Sequence, residues 1–244
     1  MKILKIASLC LLLQGCSSNY EWGWYILSPE NIDGLTNLKF LISGITTTIY
    51  ISIVSIIISI IIGLLIAIPS LAKNKFLTYL NIGYVEIVRA VPLLVLILWI
   101  YYGLPIMTGI SFSPFVSGII ALSISESAFQ AEIFRAGINS IKKSQWEAGS
   151  SLGLGFLRKL RLVILPQAIK NILPAIGNQF VDVLKMSSLV SIIGIGDLTR
   201  KANELVVTTY RPLEIYTFLI LEYLVLILIV SYLVRKLEKK LQKD

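Results

Sequence analysis

The sequence predicts an all-helical, polytopic membrane protein with about five crossings and a short cytoplasmic helix between the third and fourth. Three observations predict it. Of the 244 residues, 56% are hydrophobic. Only 15% are charged, against about 25% in soluble domains. The apolar residues also come in unbroken runs long enough to cross a bilayer, rather than at the period of a half-buried helix or strand.

The first run, Leu41 to Pro69, is dominated by isoleucine and reaches roughly 43 Å as a helix, more than the roughly 30 Å hydrocarbon core. Ala90 to Met107 gives a second span. A third runs from Phe115 to Ala136 and carries Glu126, Gln130 and Glu132. Leu162 to Val181 gives the fourth, and Ile215 to Val234, with the interior carboxylate Glu222, the fifth. The chain thus divides into a signal-like or lipobox-like segment (1–16), a lead-in (17–40), the transmembrane domain (41–234) and a basic tail (235–244).

Lysines and arginines between spans set the orientation, because they are retained on the cytoplasmic side. Lys73, Lys75 and Arg89 come after span one. Six cations (Arg135, Lys142, Lys143, Arg158, Lys159, Arg161) come after span three, and five (Arg235, Lys236, Lys239, Lys240, Lys243) after span five. The opposite side has only Lys39, then Lys185, Arg200, Lys201 and Arg211. Span one therefore runs inward, the N-terminal region lies outside and the C-terminus is cytoplasmic. Lys2 and Lys5 precede a ten-residue apolar stretch, Ile6 to Gly15, too short to span. That stretch looks like a signal-peptide core, and Leu13-Gln14-Gly15-Cys16 resembles a bacterial lipobox in which Cys16 is lipidated; an uncleaved anchor or a misplaced start are the alternatives.

The composition also excludes functions. There is no histidine, the usual near-neutral acid/base group and the commonest metal ligand. Both cysteines, Cys10 and Cys16, lie in the first sixteen residues, so no disulfide framework or thiolate metal site is expected deeper in the chain. The net charge of +8 is read as cytoplasmic lysine and arginine rather than a nucleic-acid surface. No Gly-x-x-x-x-Gly-Lys-[Ser/Thr] phosphate loop occurs, so nothing in the sequence could cradle nucleotide phosphates by that mechanism.

The segment between spans three and four is the most specific. It reads Glu147-Ala148-Gly149-Ser150-Ser151-Leu152-Gly153, then nine residues, then Val163-Ile164-Leu165-Pro166. A short helix from Ser144 to Leu152 is expected, with Ser144 as N-cap and Glu147 as its capping-box partner. Gly153-Leu154-Gly155 would end it through a left-handed turn. Small residues at Ala148 and Gly149 would let a partner's backbone approach.

This spacing resembles the EAA loop of binding-protein-dependent ABC importers, Glu-Ala-Ala, three residues, Gly, nine residues, Ile, one residue, Leu-Pro. Gly149 replaces the second alanine and Val163 the isoleucine. Glu86-Ile87-Val88-Arg89-Ala90-Val91-Pro92, Tyr101-Tyr102-Gly103-Leu104-Pro105, Ala131-Glu132-Ile133-Phe134-Arg135-Ala136-Gly137 and Leu165-Pro166-Gln167-Ala168 look like the polar amino-acid subfamily, over residues 35 to the end. Lys185-Met186-Ser187-Ser188-Leu189 resembles the family's Lys-Asp-Thr-Ser-Leu, with Met186 a departure that weakens any charge-based reading there. The resemblance implies an inner-membrane permease, not itself an enzyme, docked through Glu147, Ala148, Gly149, Gly153, Leu165 and Pro166 onto cytoplasmic ATPase subunits. Those subunits would bind ATP and magnesium. It also implies a second permease subunit, identical or different, and a periplasmic or lipid-anchored solute-binding protein.

Polar groups inside spans are functional candidates because they are unfavourable there. Glu126 and Gln130 share one face of span three. Gln167, Asn171, Asn178, Asp182 and Lys185 form a stripe along span four that either lines a substrate path or hydrogen-bonds neighbouring helices. Glu126, a carboxylate with no neighbour evident in sequence, would favour a cationic amino acid. Importers of another small solute, a secondary transporter and a subunit without substrate are the competing readings. A secondary transporter would usually show an internal repeat of spans, and none is visible here.

Overall fold

The computed structural model describes residues 21–70 and 75–241, and every regular element in them is helical. The 1–16 segment with Cys16, together with Lys73 and Lys243, lies outside the described residues.

Helix α1 (Ile32–Ser70) is about 58 Å long at 1.5 Å per residue. Residues 75–90, read from sequence only as a basic connection, fold as α2 (Lys75–Ala90). It stops there because Pro92 drives the residue before it away from helical geometry. Beyond it lie α3 (Leu93–Leu98), a π-helical turn (Trp99–Gly103) and α4 (Leu104–Thr108). The rod formed by α3 and α4 meets α2 at 91°. Helix α5 (Pro114–Asn139) begins under Ser113, whose Oγ accepts from Val116 N at 3.3 Å. Next come α6 (Lys143–Ser151), α7 (Phe156–Lys159), a second π turn (Leu160–Ile164) and α8 (Leu165–Met186). A 3₁₀ stretch (Ser187–Ile193), α9 (Leu198–Thr209) and α10 (Pro212–Leu241) complete the chain.

Both π turns stand immediately before a Leu-Pro pair, Leu104-Pro105 and Leu165-Pro166. Proline offers no backbone N–H, and its ring collides with the carbonyl four residues earlier. Widening the preceding turn is one way a helix absorbs both defects without breaking.

Register fixes the helix directions. Gly118 of α5 faces Ile51 of α1, the Ser123 hydroxyl donates to the Ser55 carbonyl at 3.3 Å, and Gly63 lies against Gln130. The offset is nearly constant, so α1 and α5 are parallel. Helix α8 is antiparallel to α5, with Gly137 against Ile172 and Glu126 bonded to Gln179. Helix α10 is antiparallel to α8, with Gly177 against Val234 and Leu184 clustered with Leu226. We call the end where α1 and α10 begin the upper end. Two consecutive parallel rods require a return between them, which falls to the bent pair.

By length and apolar composition three helices can cross a membrane (Ile32–Pro69, Phe156–Ile193 and Pro212–Lys240), and the bent pair makes a fourth. Helix α5, the expected third crossing, does not qualify on composition, since it carries Glu126, Gln130 and four serines. Shielding explains this polarity, because α1, α2, α3 and α8 all pack against it. Half of its residues are buried, among them Ser117, Ser123, Glu126, Ser127 and Gln130.

At the upper end Asp197 caps α9, its Oδ1 accepting from Arg200 N at 2.9 Å. Leu198 N donates to Thr48 Oγ1 of α1 at 3.2 Å. Gly44 permits this approach, since a Cβ there would lie 2.7 Å from Leu198 N. Burial raises the Asp197 carboxyl from its ordinary 3.8 to about 6, against the lowering effect of the backbone bond from Arg200. A raised carboxyl favours the folded state fully below the unfolded value, and that contribution fades as pH rises through about 6. Two units correspond to at most about 3 kcal/mol. Thermal unfolding in detergent should therefore show wild-type stability falling between pH 4 and 7 relative to Asp197→Asn, which keeps a capping oxygen without the charge. Parallel pH profiles for the two proteins would remove this role.

Candidate functional site: a docking helix and a polar helix face

The lower end carries α6, whose N-cap is Lys142 with no side-chain capping bond. The expected Ser144–Glu147 capping box does not form. Ser144 lies one residue inside the helix, and Glu147 instead pairs with Lys143 at 3.4 Å across one turn. The C-terminus agrees with expectation. Gly153 has φ +70°. Its N–H donates to Ser150 O at 2.9 Å and Leu154 N–H to Gly149 O at 3.1 Å, the paired bonds of a Schellman end.

Three contacts join α6 to α7 and α8. Trp146 stacks on Phe156 with ring centroids 6.2 Å apart. Lys159 Nζ donates to Ser150 Oγ at 2.5 Å, while its stem lies over Gly149, where an added Cβ would come within 2.7 Å of Lys159 Cγ. Gln167 Nε2 donates to Gln145 Oε1 at 3.2 Å, linking α6 directly to α8. Glu147, Ala148, Leu152, Gly153 and Leu157 face outward. Leu165 is half-buried and Pro166 exposed at the start of α8. The result is a small-residue knob with an exposed apolar rim, braced against the π turn that leads into α8.

The stripe on α8 divides in two. Near the lower end, Asn171 Nδ2 donates to Ser140 Oγ at 2.9 Å and Gln167 is held as above, so these amides tie helices together. Further along, Asn178 is exposed, and Asp182 Oδ1 accepts from Lys185 Nζ at 2.8 Å on an open face. Glu126 does have a neighbour, contrary to its isolation in sequence: its Oε2 accepts from Gln179 Nε2 at 2.5 Å. The stripe does not include Gln179, which stands one residue off it. The signal available in sequence is its distance of one and three residues from Asn178 and Asp182. Gln130, grouped with Glu126 by its four-residue spacing, is fully enclosed between α5 and α1, with neither amide atom partnered among the described residues. Asn178 and Asp182 are thus accessible on α8, whereas Glu126 is buried at 3% exposure behind Gln179.

Residues 59–243 match the family described as the inner membrane component of binding-protein-dependent transport systems. The chain is 34% identical over 210 residues to the arginine transport system permease protein ArtQ of Bacillus subtilis (strain 168), covering 86% of this chain and 96% of that protein. It is 32% identical over 206 residues to the glutamine transport system permease protein GlnP of Escherichia coli (strain K12), covering 84% and 94%. Among solved structures, one described as an amino acid ABC transporter with histidines superposes with a TM-score of 0.78 at 39% identity, covering 86% of this chain and 99% of that one. An inward-facing MetNI methionine ABC transporter shares the fold, with a TM-score of 0.75 at 17% identity over 84% and 98% of the two chains.

Proposed function

Because the chain belongs to the family of binding-protein-dependent transport system inner membrane components, we propose that it is the permease subunit of an ATP-driven importer of polar amino acids. The observation that carries this reading is the braced α6 knob, which offers a separate ATPase a rigid handle on α8. ATP is hydrolysed by that partner, and closure of the ATPase pair pushes on the exposed Glu147, Ala148 and Gly153, while Gly149, expected at the docking surface, is buried under Lys159 and serves the brace. The push travels through Trp146–Phe156, Lys159–Ser150 and Gln145–Gln167 into the π turn and α8. Because α8 presents Asn178 and Asp182 and holds Glu126 through Gln179, its movement changes which end of the bundle the polar face serves. The open face of α8 suits a path shared with a second permease subunit. The lower end is then cytoplasmic, in line with the count of lysines and arginines, and a solute-binding protein delivers substrate at the upper end.

Glu126 favours a cationic amino acid as the substrate. Removing a charge-assisted hydrogen bond costs about 1.5–3 kcal/mol, roughly ten- to a hundredfold in an equilibrium constant. In proteoliposomes containing the whole complex with its ATPase and binding protein, Glu126→Gln should reduce arginine uptake by about tenfold or more and glutamine uptake far less. Equal uptake of both by wild type and variant would reject the cationic preference. Absence of any ATP-dependent amino-acid uptake by the wild-type complex would reject the transport reading itself.

A further inference from the structure

The upper end carries a segment that the docking helix and the polar face do not use. Residues 24–27 form a 3₁₀ turn laid across the start of α1, the later part of α9 and the start of α10. It is firmly held. Gly23 N–H donates to the buried Glu214 carboxylate at 2.5 Å, and Arg211 donates to Glu21 O at 2.6 Å. Asn37 Nδ2 donates to Ile26 O at 2.9 Å. Ile26 and Leu27 are buried with Leu41, Ala202, Leu205 and Ile215.

Its outward face is aromatic. Trp22 and Trp24 stack with centroids 5.8 Å apart and planes 6° from parallel, and the Arg211 guanidinium stands 5.9 Å from the Tyr25 ring centroid. Trp24 is 43% and Tyr25 58% exposed. On the adjoining turn Tyr210 is 82% exposed. It has a φ of 56°, the one positive φ among non-glycine residues described. A left-handed tyrosine is strained by roughly 1–2 kcal/mol relative to glycine, so the corner keeps a large aromatic where a smaller residue would be easier.

The position of this face decides its partner. It stands at the heads of α1 and α10, and exposed apolar side chains continue from it down both helices, including Ile32, Ile42, Ile220 and Leu224. Aromatic rings with a polar edge favour the boundary between headgroups and acyl chains. We propose that Trp22, Trp24, Tyr25 and Tyr210 are an interfacial anchor that seats this end of α1 and α10 at the headgroup boundary of the phospholipid bilayer. The assignment rests on α1 and α10 crossing the membrane and is independent of the substrate and of which side is cytoplasmic.

The test is depth-resolved quenching of tryptophan fluorescence in phosphatidylcholine nanodiscs. Trp99→Phe/Trp146→Phe leaves Trp22 and Trp24 as reporters; the wild-type signal minus that of Trp22→Phe/Trp24→Phe gives the same reading without touching the other two. Spin labels at the headgroup or upper acyl chain should quench at least about twofold more than labels near the bilayer centre, and aqueous iodide should quench weakly. Strong iodide quenching with no dependence on lipid label would overturn the proposal. Shielding from iodide that arises only when the solute-binding protein is added would also overturn it, giving this face to that protein.

Discussion

Replacing Gly63 with alanine should lower the thermal stability of the protein, although alanine is the better helix former by about 1 kcal/mol. A Cβ at position 63 would lie 2.5 Å from Gln130 Cβ, 2.9 Å from Ala131 N and 3.0 Å from Gln130 C. Two of these three atoms are backbone, so no rotamer change makes room, and α1 must move away from α5. Overpacking of this kind typically costs 1–3 kcal/mol, occasionally more. Net of the propensity gain of about 1 kcal/mol, and at about 2–4 °C per kcal/mol for a chain of this size, we expect a fall of up to about 8 °C in detergent, larger for Gly63→Val. Gly83 supplies the control: it is also helical, but nothing lies within 4 Å of a Cβ there, so Gly83→Ala should track propensity and leave stability unchanged or higher. Equal behaviour of the two alanines would mean that α1 and α5 are not this close.

The same crossing explains what could and could not be foreseen. The run from Leu41 to Pro69 announces a helix, but its buried small face, Ser52, Ser55, Ser59, Gly63 and Ala67, is visible only once α5 lies against it. Helix ends governed by a local residue are legible: Gly153 closes α6 because a left-handed turn needs it. The α6 start is misleading in sequence, since Ser144 and Glu147 have the spacing of a capping box while Lys143 offers Glu147 a competing ion pair. Helix α2 is hidden because its polar residues are satisfied by neighbours distant in sequence. Asn81 Nδ2 donates to Ile66 O at 3.0 Å, and Arg89 pairs with Glu132 at 2.5 Å. In the polar face, spacing alone places Asn178 and Asp182 together. It cannot separate Asn171, which ties α8 to the end of α5, or find Gln179, because both depend on where α5 passes.

The second large effect is expected at Gly153, and the form of the substitution separates shape from charge. Nothing lies within 4 Å of a Cβ at this position, so any side chain has room and the penalty comes from φ +70° alone. For a β-branched residue this is a true outlier, strained by roughly 1–2 kcal/mol. The chain can relieve it by giving up the bonds from Gly153 N to Ser150 O and Leu154 N to Gly149 O, which re-aims Leu152 and the end of α6. Gly153→Val should then weaken co-purification of the ATPase about tenfold, since about 1.4 kcal/mol is a factor of ten. Asparagine tolerates the left-handed region, so Gly153→Asn should retain most of the partner. Gly153→Asp keeps a similar shape with a negative charge, and loss of the partner in that variant alone would locate an electrostatic contact at the knob. All three should insert in the membrane, with the asparagine and aspartate variants unfolding near wild type and the valine variant at most a few degrees lower, because the position is exposed and outside the packed helices. Undiminished ATPase binding by the valine variant would show that force does not enter the bundle through this turn, and the coupling route through Trp146, Lys159 and Gln145 would fall with it.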